Sequence, residues 1–215
     1  MRSASSRNSI WRRGKSLTSA LRNVSFIDNC EVAMFRKFLP FMLALGLGIG
    51  SATADEDPVL EAMARLAPLE GEFVITGVRH TPDGPIELRK ATSTSHFVLN
   101  GRVLEEERTS DLGLEELITL KTQMSYDQYR QLYRVAVVDD TWGLMDIYEG
   151  RFTEPEMLEV TNLRSDTHFP LGDDQKMHFR LRWDLGAPKT FTVDYSLDQG
   201  ESWAIYFEEV MTPSE

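Results

Sequence analysis

Residues 124–150 concentrate side chains that could do chemistry. This stretch contains four tyrosines, two arginines, one tryptophan and the adjacent carboxylates Asp139 and Asp140. Paired carboxylates can act in general acid–base catalysis, whereas arginine and aromatic rings can hold a ligand. Neighbouring residues of a strand point to opposite faces, and an aspartate in a turn bonds its own backbone. The two aspartates are therefore predicted to be turn residues rather than a catalytic couple.

Catalytic and metal-binding motifs are missing from the sequence. The serines lack a Gly-x-Ser-x-Gly setting, and neither a phosphate-binding glycine loop nor a dinucleotide fingerprint occurs. The four histidines do not stand at zinc-ligand spacings, and Cys30 is the only cysteine. We therefore predict no catalytic residue, no metal site and no cofactor.

A ligand site is predicted from one arginine and six aromatic residues: Arg134, Trp142, Tyr148, Phe179, Trp183, Tyr195 and Trp203. Arg134 shares the parity of three apolar residues of its strand, so it is predicted to face the interior. A buried guanidinium needs an acidic or aromatic partner, or an anionic ligand. The alternatives are a structural pair between Arg134 and Glu105 or Glu149, and a plain core role for the aromatic residues.

Residues 105–107 form a run of three glutamates. The run is predicted to lie on an exposed strand, where charges deter pairing with other chains. The alternative is that one of these glutamates points into a polar lumen.

Alternation of apolar and polar residues dominates the chain after residue 70. In residues 177–184, Met177, Phe179, Leu181 and Trp183 share one face, as expected for an antiparallel strand with one wet face. Further candidate strands lie at 72–79, 87–98, 102–110, 117–125, 131–138, 144–152, 157–163, 190–197 and 202–210. About ten such strands, with no room for crossover helices, predict an all-β sandwich or an up-and-down barrel.

Local signals mark the connections between these strands. Asp83-Gly84 and Asn100-Gly101 are dipeptides of tight hairpins, because both residues tolerate positive φ. Gly172-Asp173-Asp174 and Asp198-Gln199-Gly200 mark further reversals. Ahead of the strands, Asp57-Pro58 predicts the start of a short helix, with aspartate as the N-cap.

The first 54 residues read as a leader rather than as part of the domain. Residues 34–54 combine a basic start, an apolar run at 38–49 and small residues before Asp55, which is the pattern of a secretory signal peptide. Residues 1–33 precede this complete signal and are predicted to be a non-native upstream extension, with a transit peptide as the alternative. Residues 55–215 are then predicted to be a single all-β domain, located in the periplasm or secreted, with no stable membrane anchor after cleavage.

The charge of this domain restricts its partners. Eight of the 23 basic residues and two of the 34 acidic residues precede residue 55, which leaves 15 against 32 and a net charge of −17. Such a field repels nucleic acid and anionic lipid headgroups. Nucleic acid is therefore excluded as a partner.

A series of short motifs resembles one bacterial family. Leu69, Gly71 and Phe73 lead from the short helix into the first strand, and the later motifs are Gly101-Arg102, Tyr126-Asp127, Tyr133, Asp139, Gly143 and Gly150. Their order resembles the lipocalin-like family called domain of unknown function 1579, over nearly all of residues 60–212. The resemblance implies an antiparallel up-and-down lipocalin-like barrel of about ten strands with a short N-terminal helix, and it implies no activity. With the patterning, it predicts a hairpin over residues 130–151.

The function predicted from these observations is the binding of a small apolar or weakly anionic ligand inside an exported barrel. The predicted fold, the aromatic inner face and the missing catalytic motifs favour a binding protein over an enzyme. The alternatives are an enzyme of hydrolase or isomerase type acting within the barrel, and a pocketless protein of the cell envelope that binds a partner through its outer wall. The volume and lining of the barrel interior distinguish these three functions.

Overall fold

The computed structural model describes residues 57–172 and 175–215. The predicted signal peptide at 34–54, the upstream residues 1–33 and the predicted cleavage after Ala54 lie outside the described residues. Within them, no helix is long and apolar enough to cross a membrane.

A seven-residue helix, α1 (Pro58–Ala64), precedes the strands, as the sequence predicts. The side chain of Asp57 accepts a hydrogen bond from the Val59 backbone N–H at 2.9 Å, and Pro58 occupies the first turn, where its missing N–H costs nothing. A 3-10 turn (Ala67–Leu69) then leads into the sheet. The helix therefore begins where its capping residues place it.

Twelve strands follow, and all their pairings are antiparallel. They are β1 (Gly71–Thr81), β2 (Gly84–Glu87), β3 (Ala91–Val98), β4 (Val103–Ser110), β5 (Ile118–Asp127), β6 (Leu132–Asp139), β7 (Met145–Phe152), β8 (Met157–Thr161), β9 (Phe169–Leu171), β10 (Gln175–Asp184), β11 (Lys189–Ser196) and β12 (Ala204–Pro213).

Ten of these strands close into a barrel. Neighbours in the ring follow chain order from β3 to β8, then β10, β11, β12 and β1, and β1 pairs with β3 to close the circle. The short strands β2 and β9 pair only with β1 and β10, outside the ring. The prediction of a ten-stranded antiparallel barrel is confirmed, and closure removes the unpaired edges of an open sheet.

The predicted hairpins agree with the structure. Asn100 (φ 57°) and Gly101 (φ 81°) turn β3 into β4, and Gly84 (φ 117°) begins β2 directly after the turn from β1. The hairpin predicted over 130–151 is β6 and β7, whose turn is organised by Asp139, which accepts hydrogen bonds from four backbone N–H groups of residues 141–144. Residues 173 and 174 of the turn predicted at Gly172 lie outside the described residues.

One half of the barrel is filled by side chains. The buried residues of α1 and the 3-10 turn pack against interior residues from the start of β4, the end of β5 and the start of β6, which meet at the same end of an up-and-down barrel. Met63 and Leu104 are 1% exposed, and Leu66 is fully buried. The Tyr133 hydroxyl donates to the Ala62 carbonyl at 2.7 Å and ties the helix to β6. The helix therefore plugs this end.

Candidate ligand cavity

A cavity of about 440 Å³ occupies the other half of the barrel. Its deep walls are buried apolar side chains from β5, β10, β11 and β12: Ile118, Leu181, Trp183, Phe191 and Phe207. Its mouth is lined by partly exposed apolar residues of the β4–β5 and β6–β7 connections and of β9: Leu114, Trp142, Leu144 and Phe169. This volume lies within the range of pockets that hold small molecules in other proteins.

An ion pair lies in the cavity wall. The Arg108 guanidinium donates to the Glu209 carboxylate, and the two side chains are 3% and 4% exposed. Glu106 is buried beside them and accepts a hydrogen bond from the Ser93 hydroxyl at 2.6 Å. Burial alone would lower the pKa of Arg108, but the charges of Glu209 and Glu106 outweigh that effect and raise it. Arg108 and Glu209 therefore compensate each other, and Glu106 adds one further negative charge beside the pair.

Asp146 and Tyr148 face the cavity from β7. Asp146 accepts hydrogen bonds from the Asn162 amide at 3.0 Å and from the Thr167 hydroxyl. Burial raises the pKa of the Asp146 carboxyl against the opposing effect of these bonds and of the Tyr148 hydroxyl. Burial, and then the charge of Asp146, raises the pKa of Tyr148 well above its ordinary value of 10. Tyr148 therefore keeps its proton, and Asp146 binds one more readily than an exposed aspartate.

Hydrogen bonds hold the segment between β8 and β9 against the barrel beside the Asp146 carboxylate. Asn162 is fully buried, and its side-chain oxygen accepts the Phe179 backbone N–H at 2.7 Å while its amide reaches Asp146. The Thr167 hydroxyl also accepts the Ile147 backbone N–H at 3.1 Å. These bonds hold the strand that carries Phe169 at the mouth of the cavity.

Four of the seven predicted site residues line the cavity: Trp142, Tyr148, Phe179 and Trp183. Trp183 is 2% exposed and packs against Phe191, with ring centroids 4.9 Å apart, so it lies deep in the interior. Trp142 is 52% exposed and lies at the mouth. The parity of β10, with Met177, Phe179, Leu181 and Trp183 on one face, is confirmed.

Arg134 does not face the interior, so the inward prediction is wrong. Its side chain is 41% exposed and forms outer-wall pairs with Asp127 and Glu149, each at 3.5 Å. Tyr133 and Val135, on the opposite parity, are the most deeply buried residues of β6, although Leu132 on the parity of Arg134 is also buried. Apolar side chains occupy both faces of this strand, so parity alone could not decide its orientation. The alternative, a structural pair with Glu149, describes the residue correctly.

Trp203 and Tyr195 are absent from the cavity lining. The register of β11 against β12 shifts between Val193 and Asp194, and this β-bulge places Tyr206 and Phe207 side by side in the cavity wall. The strict alternation assumed for residues 202–210 fails at this point. Trp203 instead packs under the Arg180 guanidinium, 4.8 Å from its ring centroid, and Tyr195 touches the edge of Tyr206.

The charged residues of the cavity were missed by sequence reasoning: Glu106, Arg108, Asp146 and Glu209. Leu104, Glu106, Arg108 and Ser110 share one parity of β4, and all four are buried. The alternation was therefore present, but the run of glutamates favours an exposed strand. One glutamate of the run does point inward, as the alternative prediction has it, whereas Glu107 pairs with Lys121 on the outer wall.

Within residues 57–172 and 175–215, no group of three or more histidine, cysteine or carboxylate side chains is arranged to hold a metal ion. His168 and His178 lie with ring centroids 5.5 Å apart outside the barrel, and His178 is 6% exposed. Burial is the main cause that lowers the pKa of His178, followed by the charges of His168 and Lys176.

Comparison with known proteins supports the fold only. The structure resembles the crystal structure of Rv2717c from M. tuberculosis with a TM-score of 0.50 and 15% sequence identity, over 72% of this chain and 98% of that one. At this identity the likeness concerns the arrangement of the strands. No family model matches the chain, and no curated protein matches it. The resemblance to domain of unknown function 1579 therefore stays a prediction.

Proposed function

We propose that this protein is an exported, lipocalin-like barrel that holds a small, largely apolar molecule in the open half of its interior. The observation that carries the proposal is the 440 Å³ cavity, walled by aromatic and aliphatic side chains and open at one end. Burying apolar surface in such a cavity contributes about 25 cal/mol per Å² of surface removed from water. The helix plug at the other end keeps the ligand site to one half of the barrel.

Export is part of the proposal and rests on the sequence of residues 34–54, which has the pattern of a signal peptide. We propose a periplasmic or secreted location for the barrel. N-terminal sequencing of the protein from the envelope fraction tests this part, and a first residue at Asp55 is the expected result.

Uptake of a neutral, environment-sensitive dye such as Nile red tests the binding function. The native protein should raise the dye's fluorescence with saturation at one dye per chain. Val193→Trp places an indole in the cavity and should abolish the signal, because Val193 lines it. Val210→Trp is the matched control, since Val210 is 38% exposed on the neighbouring strand β12, and it should bind as the native protein does. Equal signals from the two variants would refute a site inside the barrel.

An enzyme acting within the barrel is a second candidate, favoured by one observation. Asp146 and Tyr148 combine a carboxylate with a raised pKa and a tyrosine that stays protonated, beside an apolar cavity. Such a pair can supply a base and a hydrogen-bond donor to a proton transfer of the isomerase type. Tyr148→Phe should take up dye as the native protein does, whether the protein only binds a ligand or also acts on it. The enzyme is supported only if this variant loses turnover of a substrate found by screening.

A further inference from the structure

The cavity is lined by more negative than positive charge. Among the residues that the structure describes, four carboxylate residues face it, Glu106, Asp139, Asp146 and Glu209, against one basic residue, Arg108. With every group in its ordinary ionised form, the lining therefore carries a net charge of −3. Charge in a cleft with low-dielectric walls acts on a ligand more strongly than the same charge in water.

Arg108 is not free to receive an anion. Its guanidinium is paired with Glu209, lies close to the charge of Glu106, and is positioned over the Phe191 ring at 4.7 Å from the centroid. An anionic ligand would have to displace Glu209 and leave that carboxylate buried without a partner. Such an exchange is unfavourable, because it leaves a buried charge without compensation.

Asp146 is a partly buried lining carboxylate with no arginine or lysine among its partners, whereas Glu209 and Glu106 both lie beside the Arg108 guanidinium. The side-chain hydrogen bonds of Asp146 come from the Asn162 amide and the Thr167 hydroxyl. Glu209 has a guanidinium, and Asp139 is held by the backbone of its own turn. Burial is the main cause that raises the pKa of Asp146, which agrees with a partly buried carboxylate that has no compensating cation.

We propose that the cavity selects amphiphiles in which an apolar body carries a protonated amine, that the ammonium group pairs with Asp146, and that carboxylates with the same body are rejected. The inference rests on the proposed binding function and names the chemical class of its ligand. It replaces the weakly anionic ligand expected from an inward Arg134, because that guanidinium lies on the outer wall. The apolar body would occupy the space in front of Trp183 and Phe191.

The selection for amines is tested with three probes that share an alkyl chain and differ in the polar group: decylamine, decanol and decanoic acid. Each is used to displace Nile red from the native protein at pH 7.5. The amine should bind at least about tenfold more tightly than the carboxylate, with the alcohol between them. Equal or tighter binding of the carboxylate would overturn the inference while leaving the binding function standing. Displacement by none of the three, with no dye uptake either, would refute both.

Two variants test whether Asp146 causes the preference for the amine. Asp146→Asn should reduce the amine-to-alcohol affinity ratio to about one, because it removes the charge, while the affinity for decanol changes less than about threefold. Thr167→Val is the matched control: it removes a hydrogen bond to the same carboxylate but keeps the charge, so the ratio should persist. A persistent ratio in Asp146→Asn, or its loss in Thr167→Val alone, would contradict the ion pair. If Asp146→Asn does not fold, the ranking of the three probes by the native protein still decides.

Discussion

Arg108 and Glu209 form an ion pair across the interior of the barrel, although 101 positions separate them in the chain. Glu106, on the same strand as Arg108, adds a second negative charge to the pair. Charged residues are buried in this way only when they are paired. The open half of the barrel is therefore held by specific charges as well as by apolar packing.

Removal of the buried guanidinium should be costly. Arg108→Ala leaves Glu209 and Glu106 without a cation and should lower the free energy of unfolding by about 3–5 kcal/mol. Arg134→Ala removes an exposed pair on the outer wall and should cost about 1 kcal/mol or less. Urea denaturation of both variants measures the difference, and similar small losses would contradict the placement of Arg108 inside the barrel.

The helix plug should be essential for stability but not for ligand binding. Met63→Ala removes a side chain that is 1% exposed in the filled half and should cost about 2–5 kcal/mol. Leu60→Ala, on the same helix but 40% exposed, should cost less than about 1 kcal/mol. Both variants should bind Nile red with native affinity while folded. Loss of dye uptake in folded Met63→Ala would mean that the two halves of the barrel are not independent.

Asn162 should contribute most to holding the segment between β8 and β9 at the cavity mouth. Asn162→Ala leaves the Phe179 N–H and part of the Asp146 carboxylate without partners, so a loss of about 2–3 kcal/mol is expected. Ser165→Ala removes the hydrogen bonds of the Ser165 hydroxyl with the Asn162 carbonyl at 3.0 Å and the Thr167 hydroxyl at 2.7 Å, both partly exposed, and should cost about 1 kcal/mol. Thermal denaturation compares the two, and a loss in Ser165→Ala as large as that in Asn162→Ala would contradict this assignment.

Much of the fold follows from local patterns. The turn dipeptide Asn100-Gly101 and the alternation of residues 177–184 each report a property of a few neighbouring residues, and both predictions hold. The strands β2 and β9 were not predicted, because each is four residues or fewer and pairs with a single neighbour. Short runs of this length carry too little periodicity to be recognised.

The site was harder to predict because it depends on contacts between distant strands. The bulge at Tyr206 reverses the parity expected for Trp203. Both faces of β6 carry apolar residues, so the alternation of this strand led to the wrong orientation for Arg134. Arg108 is buried with an ionic partner because β12, distant in the chain, supplies Glu209. Whether a barrel is filled or hollow depends on the summed volumes of side chains from all its strands, so one strand's pattern cannot decide it.

The stability of the protein should fall at high pH through Tyr133. Burial raises the pKa of Tyr133 to about 12, from 10.0 for an exposed tyrosine. The folded state therefore keeps a proton that the unfolded chain releases, so this contribution is complete below pH 10 and is lost as the pH rises towards 12. Tyr133→Phe should show a smaller decline in the free energy of unfolding between those values. An identical decline in both proteins would contradict the shift.

Methyl NMR of methionine residues tests the central claim most directly, since methionines lie in both halves of the barrel. Met177 lines the cavity, Met63 and Met124 are buried in the filled half, and Met145 is 59% exposed. On titration with decanol, the Met177 methyl signal should shift with saturation at one ligand per chain, while the signals of Met63, Met124 and Met145 stay in place. An unchanged Met177 signal, or equal shifts at Met145, would show that the open half of the barrel does not hold the ligand.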